Sequence, residues 1–282
     1  MPAIGVVVVT YRSAGTIDAC LASLMSASAA PLQVVVVDNA SDDDSATRAA
    51  AHPVTVVRRA SNDGYAAANN AGVATLGADT VWVVFANPDT VWPAGSIDAL
   101  IADATSDATI GLISPTLVGD DGAPQAIVED DLSLGRVLRG MTRIGTPIRP
   151  RVPASAEGVT DVAWLHTAAA VVPIDVVRAT QGFDERFFLF AEDADFCRRV
   201  RALGKRVVVT PRVRVEHVGG ASVDASNDAD AAAALRTRAL ATYLDKYQGG
   251  VARRVFGLVG TVVYGVGGHR GQAREAWKAV VE

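Results

Sequence analysis

Cysteine is almost absent. Cys20 and Cys197 are the only two in 282 residues. Two thiols so far apart build neither a metal cluster nor a disulfide framework. Each falls in an apolar helical pattern, so both read as core side chains of a reduced, cytoplasmic protein. Lys205, Lys246 and Lys278 are the only lysines among 26 basic residues. Basic charge is not in excess: 31 acids leave a net charge of −5, which argues against a nucleic-acid partner. Glycine (25) and proline (12) are too sparse for collagen or a low-complexity linker. No apolar run approaches the roughly 18 residues of a spanning helix. Met1-Pro2-Ala3 lacks the positive start of a secretory leader, so none is expected. No G-x-G-x-x-G follows the first strand-like run, and neither a P-loop nor a G-x-S-x-G occurs. Dinucleotide oxidoreductases, P-loop enzymes and serine hydrolases therefore lose support.

What remains is ordinary globular material, 50% hydrophobic and 20% charged. Valine-rich runs at 4–10, 33–38, 54–58, 81–86 and 110–114 alternate with amphipathic stretches at 16–26, 44–51, 65–75 and 96–104. This alternation predicts an α/β fold: a Rossmann-like, mostly parallel sheet with helices on both faces. In such sheets the ligand crevice lies beyond the carboxyl ends of the strands. Thr10-Tyr11-Arg12, Asp38-Asn39-Ala40-Ser41 and Asn87-Pro88-Asp89 should gather there, and Gly119-Asp120-Asp121-Gly122 reads as a hairpin turn. Residues 132–156 carry five arginines and no acid, and read equally as a mobile basic flap or a solvated linker. Beyond residue 159 come a short strand (168–173), a helix (174–180), an aromatic loop (187–190), a helix opening on Glu192-Asp193-Ala194-Asp195, and strands at 206–210 and 213–216. A long Ala-rich helix (225–247) precedes an apolar tail (255–268), whose five glycines argue against a rigid helix.

Asp89, Asp193 and His217 each close or open an apolar element. A carboxylate and an imidazole from separate strands are a fitting pair for one divalent cation; alone, His217 reads as an ordinary core or surface histidine. The three acids Glu192, Asp193 and Asp195 suit a helix N-terminus, at about 0.3–1 kcal/mol each. They exceed what one cap needs, and an apolar loop before them would raise a carboxylate's proton affinity, as in a general base. Asn62-Asp63-Gly64-Tyr65 and Asn69-Asn70, at the mouth of a helix, fit either phosphate or sugar contact or a plain turn.

Taken in order and spacing, five blocks resemble an inverting family 2 glycosyltransferase of GT-A fold, and within it the rhamnosyltransferase-like branch. They are Val9-Thr10-Tyr11; Val37-Asp38-Asn39-Ala40-Ser41; the stretch from Asn62 to Asn70; Asn87-Pro88-Asp89; and Gly182-Phe183-Asp184-Glu185 through Glu192-Asp193-Ala194-Asp195 to His217. The resemblance spans about residues 3–222. It implies a GT-A domain over 1–224, with a nucleotide-sugar half (1–115) and an acceptor half (116–224), and a helical tail over 225–282. It implies that Thr10, Tyr11, Asp38, Asn62, Gly64, Asn70, Asn87 and Asp89 bind the donor. Asp89 and His217 would hold Mg2+ or Mn2+, and Asp193 would be the catalytic base. Glu192, Trp164 and His166 would line the acceptor. Two positions depart from the pattern: Asn87 replaces the first acid of Asp-x-Asp, and Thr167 stands where glycine is expected.

The activity so implied is metal-dependent transfer of a sugar, foremost L-rhamnose from dTDP-rhamnose, to a hydroxyl of a cell-wall or surface polysaccharide acceptor, often lipid-linked. UDP-galactofuranose and GDP-mannose are alternative donors. A nucleotide-sugar-binding protein without catalysis and a nucleotidyltransferase are alternatives of other classes. One base and one metal suffice for in-line displacement, because a diphosphate leaves without protonation. A homodimer and peripheral contact with the inner membrane face, through the basic flap or the apolar tail, complete the expectations.

Overall fold

The structure is a computed structural model that describes residues 3–125, 131–142, 158–218 and 229–281. Nine strands form one sheet in the order β3-β2-β1-β4-β8-β6-β9-β5, with β7 paired to β9. They are β1 (Ala3–Thr10), β2 (Leu32–Asp38), β3 (Thr55–Arg58), β4 (Thr80–Ala86), β5 (Thr90–Val91), β6 (Ile110–Val118), β7 (Thr160–Asp161), β8 (Ala169–Pro173) and β9 (Arg206–His217). β3, β2, β1 and β4 run parallel, as the valine runs predict. β8 enters antiparallel between β4 and β6, and β9 lies parallel to β6, so the long strands other than β8 share one direction. β1 is buried from Ile4 to Thr10, which is why it shows no polar alternation.

The helices are α1 (Ile17–Leu24), α2 (Ser45–Ala49), α3 (Tyr65–Thr75), α4 (Ser96–Ser106), α5 (Leu134–Thr142), α6 (Ile174–Thr180), α7 (Glu192–Ala202), α8 (Ala229–Val266) and α9 (Arg270–Val281). α3 packs against β1 and β2 and buries Ala66, Ala67, Ala68, Asn69 and Gly72. A Cβ at Gly72 would stand 2.4 Å from a methyl of Val7, so the helix lies on the sheet as closely as glycine allows. Cys20 and Cys197 are free and fully buried, and burial pushes both thiols up to about 12.

The structure differs from the sequence reading in three places. The two strands expected at 206–210 and 213–216 are one strand. The β6–β9 register slips between Pro115 and Thr116, opposite Pro211, whose missing N–H interrupts the ladder without ending it. The expected basic flap is, in its first part, helix α5, with Val137 buried against Leu244 and Phe256 of α8; residues 143–156 lie outside the described residues. The apolar tail is helical after all. α8 kinks at Gly249, where φ is +82°, and continues to Val266. Its glycines serve contact rather than flexibility: a Cβ at Gly257 would come within 2.6 Å of the Ala276 carbonyl on α9. Of the expected boundaries, 115/116 falls inside β6 and 224/225 lies outside the described residues.

Candidate active site

The carboxyl ends of the parallel strands meet at one edge. Thr10 pairs with Asp38 in register, the Asn39 amide donates to the Thr10 carbonyl at 2.9 Å, and all three residues are buried. Thr10 Oγ1, Asp38 Oδ1 and Asn39 Oδ1 are buried without a hydrogen-bond partner, as is Asn87 Oδ1 at the end of β4. A buried polar atom left unpaired costs about 1–3 kcal/mol, so four at one sheet edge mark a place built for something else to bind. Arg12 (φ +52°) and Ala40 (φ +60°) turn the chain away from these ends in a left-handed conformation that non-glycine residues rarely adopt. Arg12 grips Asp42 through Nε and Nη2, both at 2.6 Å, which fixes the loop carrying Tyr11.

Asp89 and His217 come together through strand pairing. Thr90 on β5 faces His217 on β9, and the Val218 amide donates to the Asp89 carbonyl at 3.2 Å. His217 Nε2 then stands 3.5 Å from Asp89 Oδ1 and 3.4 Å from Asn87 Nδ2. Gln125 fixes the ring from behind: its Nε2 donates to the His217 carbonyl, so its Oε1 faces Nδ1 at 3.0 Å and accepts from it. That leaves the Nε2 lone pair toward Asp89, the tautomer a metal ligand needs. Burial holds the imidazole below its ordinary range; Asp89 pulls the other way, and nearby His166 adds to the depression. Neutral His217 therefore forms a donor pair with Asp89 rather than an ion pair. Among the described residues no group of three or more His, Cys, Asp or Glu is arranged to hold a metal ion, so ligand oxygens would have to complete a shell here.

The acids of α7 divide their roles. Phe190 (φ +71°) and Ala191 (φ +61°) are both left-handed, and this paired strain throws Glu192 and Asp193 into the protein at the helix start. Asp195 is fully buried and structural: it accepts from Arg199 Nε at 2.8 Å, from Tyr247 Oη at 2.7 Å, and from Lys246. Glu192 is buried with Oε2 unpaired, and burial, with Asp193 beside it, raises its carboxyl well above the ordinary range. The desolvation expected for one carboxylate thus falls on Glu192. Asp193 accepts a hydrogen bond from Thr167 Oγ1, and its Oδ2 lies 3.3 Å from His166 Nδ1. The Tyr65 hydroxyl stands 3.4 Å from Thr167 Oγ1. Burial pushes the phenol of Tyr65 far above its ordinary value, and Asp193 adds to it, so it remains a donor. Trp164 is buried edge-on against the His166 ring, which is half exposed.

Asp89, Asp193 and His217 therefore converge. The Asn87 amide donates to the Ala168 carbonyl at 2.7 Å, next to Thr167, and His166 links Asp193 electrostatically to His217. Asn62, Gly64 and Asn70 are occupied differently from the rest of the expected donor set. Asn62 Oδ1 accepts from Asn39 Nδ2 (2.7 Å) and the Gly64 amide (3.1 Å). Both Asn70 Nδ2 protons go to the Phe183 carbonyl and Glu185 Oε1, each at 2.9 Å. A Cβ at Gly64 would meet the Phe188 carbonyl at 2.2 Å. Asn70 and Gly64 hold the loop leading to α7 in place, and Asn62 holds the turn that carries Gly64. Thr167, Tyr65, Gln125 and Lys246 were not assigned a role from sequence. Thr167 had a signal in its departure from glycine; Gln125 had none. A separate cleft of about 460 Å3, between Arg186 and helices α8 and α9, contains none of these groups.

The carboxyl edge of the sheet thus carries a carboxylate–imidazole pair, with buried acids at the start of α7, in a mixed α/β fold. The profile of glycosyl transferase family 2 matches residues 5–145, and the chain belongs to that family. It is 31% identical over 231 residues to the N-acetylglucosaminyl-diphospho-decaprenol L-rhamnosyltransferase of Mycobacterium tuberculosis, covering 75% of each chain. Solved structures with a similar fold include mannosyltransferase PcManGT from Pyrobaculum calidifontis in complex with GDP-Man and Mn2+ (TM-score 0.59, 20% identity, 99% of this chain and 74% of that one). S. aureus TarS 1-349 is another (TM-score 0.55, 16% identity, 90% and 69%).

Proposed function

We propose that the chain transfers L-rhamnose from dTDP-rhamnose to a hydroxyl of a lipid-linked glycan, with inversion at the anomeric carbon. The observation that carries this is the row of unpaired buried atoms on Thr10, Asp38, Asn39 and Asn87, which faces the same edge as Asp193. Thr10, Tyr11 and Asp38 bind the nucleobase and Asn87 and Asp89 the rest of the donor. Asp89 and neutral His217 fit a divalent cation, Mg2+ or Mn2+; when bound, it neutralises charge that grows on the departing diphosphate. Asp193, oriented by Thr167 and flanked by His166, takes the acceptor hydroxyl proton as its oxygen attacks the anomeric carbon. Glu192 holds its own proton in the buried site, so it donates to an acceptor oxygen rather than competing as a base. His166 and Trp164 line the acceptor side. The mycobacterial relative, named for an N-acetylglucosaminyl-diphospho-decaprenol acceptor and L-rhamnose transfer, supports both choices of substrate.

The test is a thermal-shift panel of dTDP-rhamnose, UDP-galactofuranose and GDP-mannose with and without Mn2+. Bound ligand raises the melting temperature by an amount that grows with the logarithm of its concentration over Kd. A cation-dependent shift with dTDP-rhamnose alone is expected; a shift with another donor alone reassigns the sugar, and no shift with any donor removes the reading.

A further inference from the structure

The chain is acidic overall, yet residues 132–156 and 246–274 contain no acid at all. Folding brings the two stretches together: Val137 of α5 is buried against Leu244 and Phe256 of α8, and the Met141 methyl lies 3.1 Å from where a Gly260 Cβ would stand. Beyond Gly249, one face of α8 is given to α9 through Gly257 and Gly260. Another face carries Val251, Val255, Leu258, Val262 and Val266, all exposed at steps of four, three, four and four residues. That spacing makes one continuous apolar ridge along a helix. Seven of the twelve large hydrophobic residues exposed among the described residues belong to α8 and α9, so the apolar surface is concentrated there.

Basic residues outnumber acids around the ridge, where Glu275 is paired with Lys278 and exposed Asp230 lies against Gly271 at the start of α9. Lys246 is engaged by Asp184 and Asp195, and Arg253 by Asp245. Arg254 is exposed inside the ridge, three residues after Val251 and four before Leu258. Arg270 and Arg274 are exposed beyond the turn at its far end, and Arg139 is exposed on α5. Among the described residues no helix is long and apolar enough to cross a membrane.

We infer that this face of α8, with the arginines of α8 and α9 beside it, lies in the surface of a bilayer that carries anionic headgroups. Valine and leucine side chains enter the acyl boundary while Arg254, Arg270 and Arg274 meet lipid phosphates, the two-part chemistry of an interfacial helix. A second copy of the chain is a poorer occupant. Placing two such ridges together opposes arginine to arginine, with no carboxylate between residues 246 and 274 to offset it. The inference stands on the tail alone and does not depend on which sugar is transferred.

Sedimentation of the full chain with vesicles tests it. Binding is expected to phosphatidylcholine vesicles containing one third phosphatidylglycerol, weaker on phosphatidylcholine alone, and falling as salt rises. The variant Val255→Ser/Leu258→Ser/Val262→Ser should lose about ten-fold or more in partitioning. Arg254→Gln/Arg270→Gln/Arg274→Gln should lose about five-fold per charge removed. All six side chains are exposed, and unchanged melting curves will show that both variants fold. A wild-type chain that stays in the supernatant with the mixed vesicles overturns the inference. So do variants that sediment like wild type, or a dimer in light scattering that the serine variant dissolves without any vesicle binding.

Discussion

The hydroxyl of Thr167 donates to Oδ1 of Asp193, and this bond joins the turn just before β8 to the first turn of α7. Asp193→Asn should retain donor binding and lower the transfer rate by about 10²–10⁴-fold. Thr167→Val keeps the shape and removes the donor. The hydroxyl orients the carboxylate that takes the acceptor proton, so kcat should fall about ten-fold with KM for the donor unchanged. A kcat equal to wild type would show that Thr167 only fills space.

Gln125 touches neither Asp89 nor the crevice, yet it fixes the His217 ring. Removing such a support usually costs 10–100-fold in metal affinity. Titration of Mn2+ against Gln125→Ala, in the presence of donor nucleotide, should show about that loss. The saturated rate should stay within a few-fold of wild type.

Lys246 bridges two acids, donating to Asp184 at 2.6 Å and to fully buried Asp195. Lys246→Ala leaves Asp195 with Arg199 and Tyr247 only. Breaking a buried pair from one side costs about 3–5 kcal/mol, and the remaining partners place this variant near about 3. Urea unfolding at neutral pH measures it. A loss well under about 1 kcal/mol would mean that water replaces the ammonium.

Gly64 combines φ of +92° with a Phe188 carbonyl where its Cβ would be. Gly64→Ala must shift the 187–190 loop and so Phe190 and Ala191. About 3 kcal/mol of destabilisation is expected from strain and overpacking together, with transfer activity falling further than donor binding. A variant with the wild-type melting temperature contradicts this account of the loop.

Glu192 is raised by burial and by Asp193 above its ordinary value of 4.5. The stability this group contributes is complete below that value and is lost as pH rises toward the folded-state pKa, because the unfolded chain ionises first. Glu192→Gln cannot ionise. The melting temperature of the variant minus that of wild type should therefore grow as pH rises above 4.5. A constant difference would place an ionised Glu192 in the folded protein.

Much of this was legible in the sequence because burial on both faces leaves a continuous valine run. The strands before residue 115 and helices α3 and α6 fall where the pattern put them. The long helix and the flap were harder. Glycine in a tail reads as looseness by propensity, whereas Gly257 and Gly260 are there because α9 lies against them, a tertiary fact. At the site, Asp89, Asp193 and His217 were visible as polar residues at the ends of apolar runs. Sequence could not tell that Asn62 and Asn70 spend their amides on protein partners, nor that the acids at 192, 193 and 195 face three different environments. Those distinctions depend on which side chains arrive from elsewhere in the chain, Asn39 from 23 residues away and Lys246 from 51.

The reversed strand β8 has a mechanical effect. Hydrogen-bonded to β4 on one side and meeting β6 on the other, it joins the strands of the two halves into one continuous sheet. Entry and exit are left to the short connections at the sheet's rim, and the anchored loop from Gly182 to Ala191, pinned by Asn70, Gly64 and Lys246, sets how wide that rim can open.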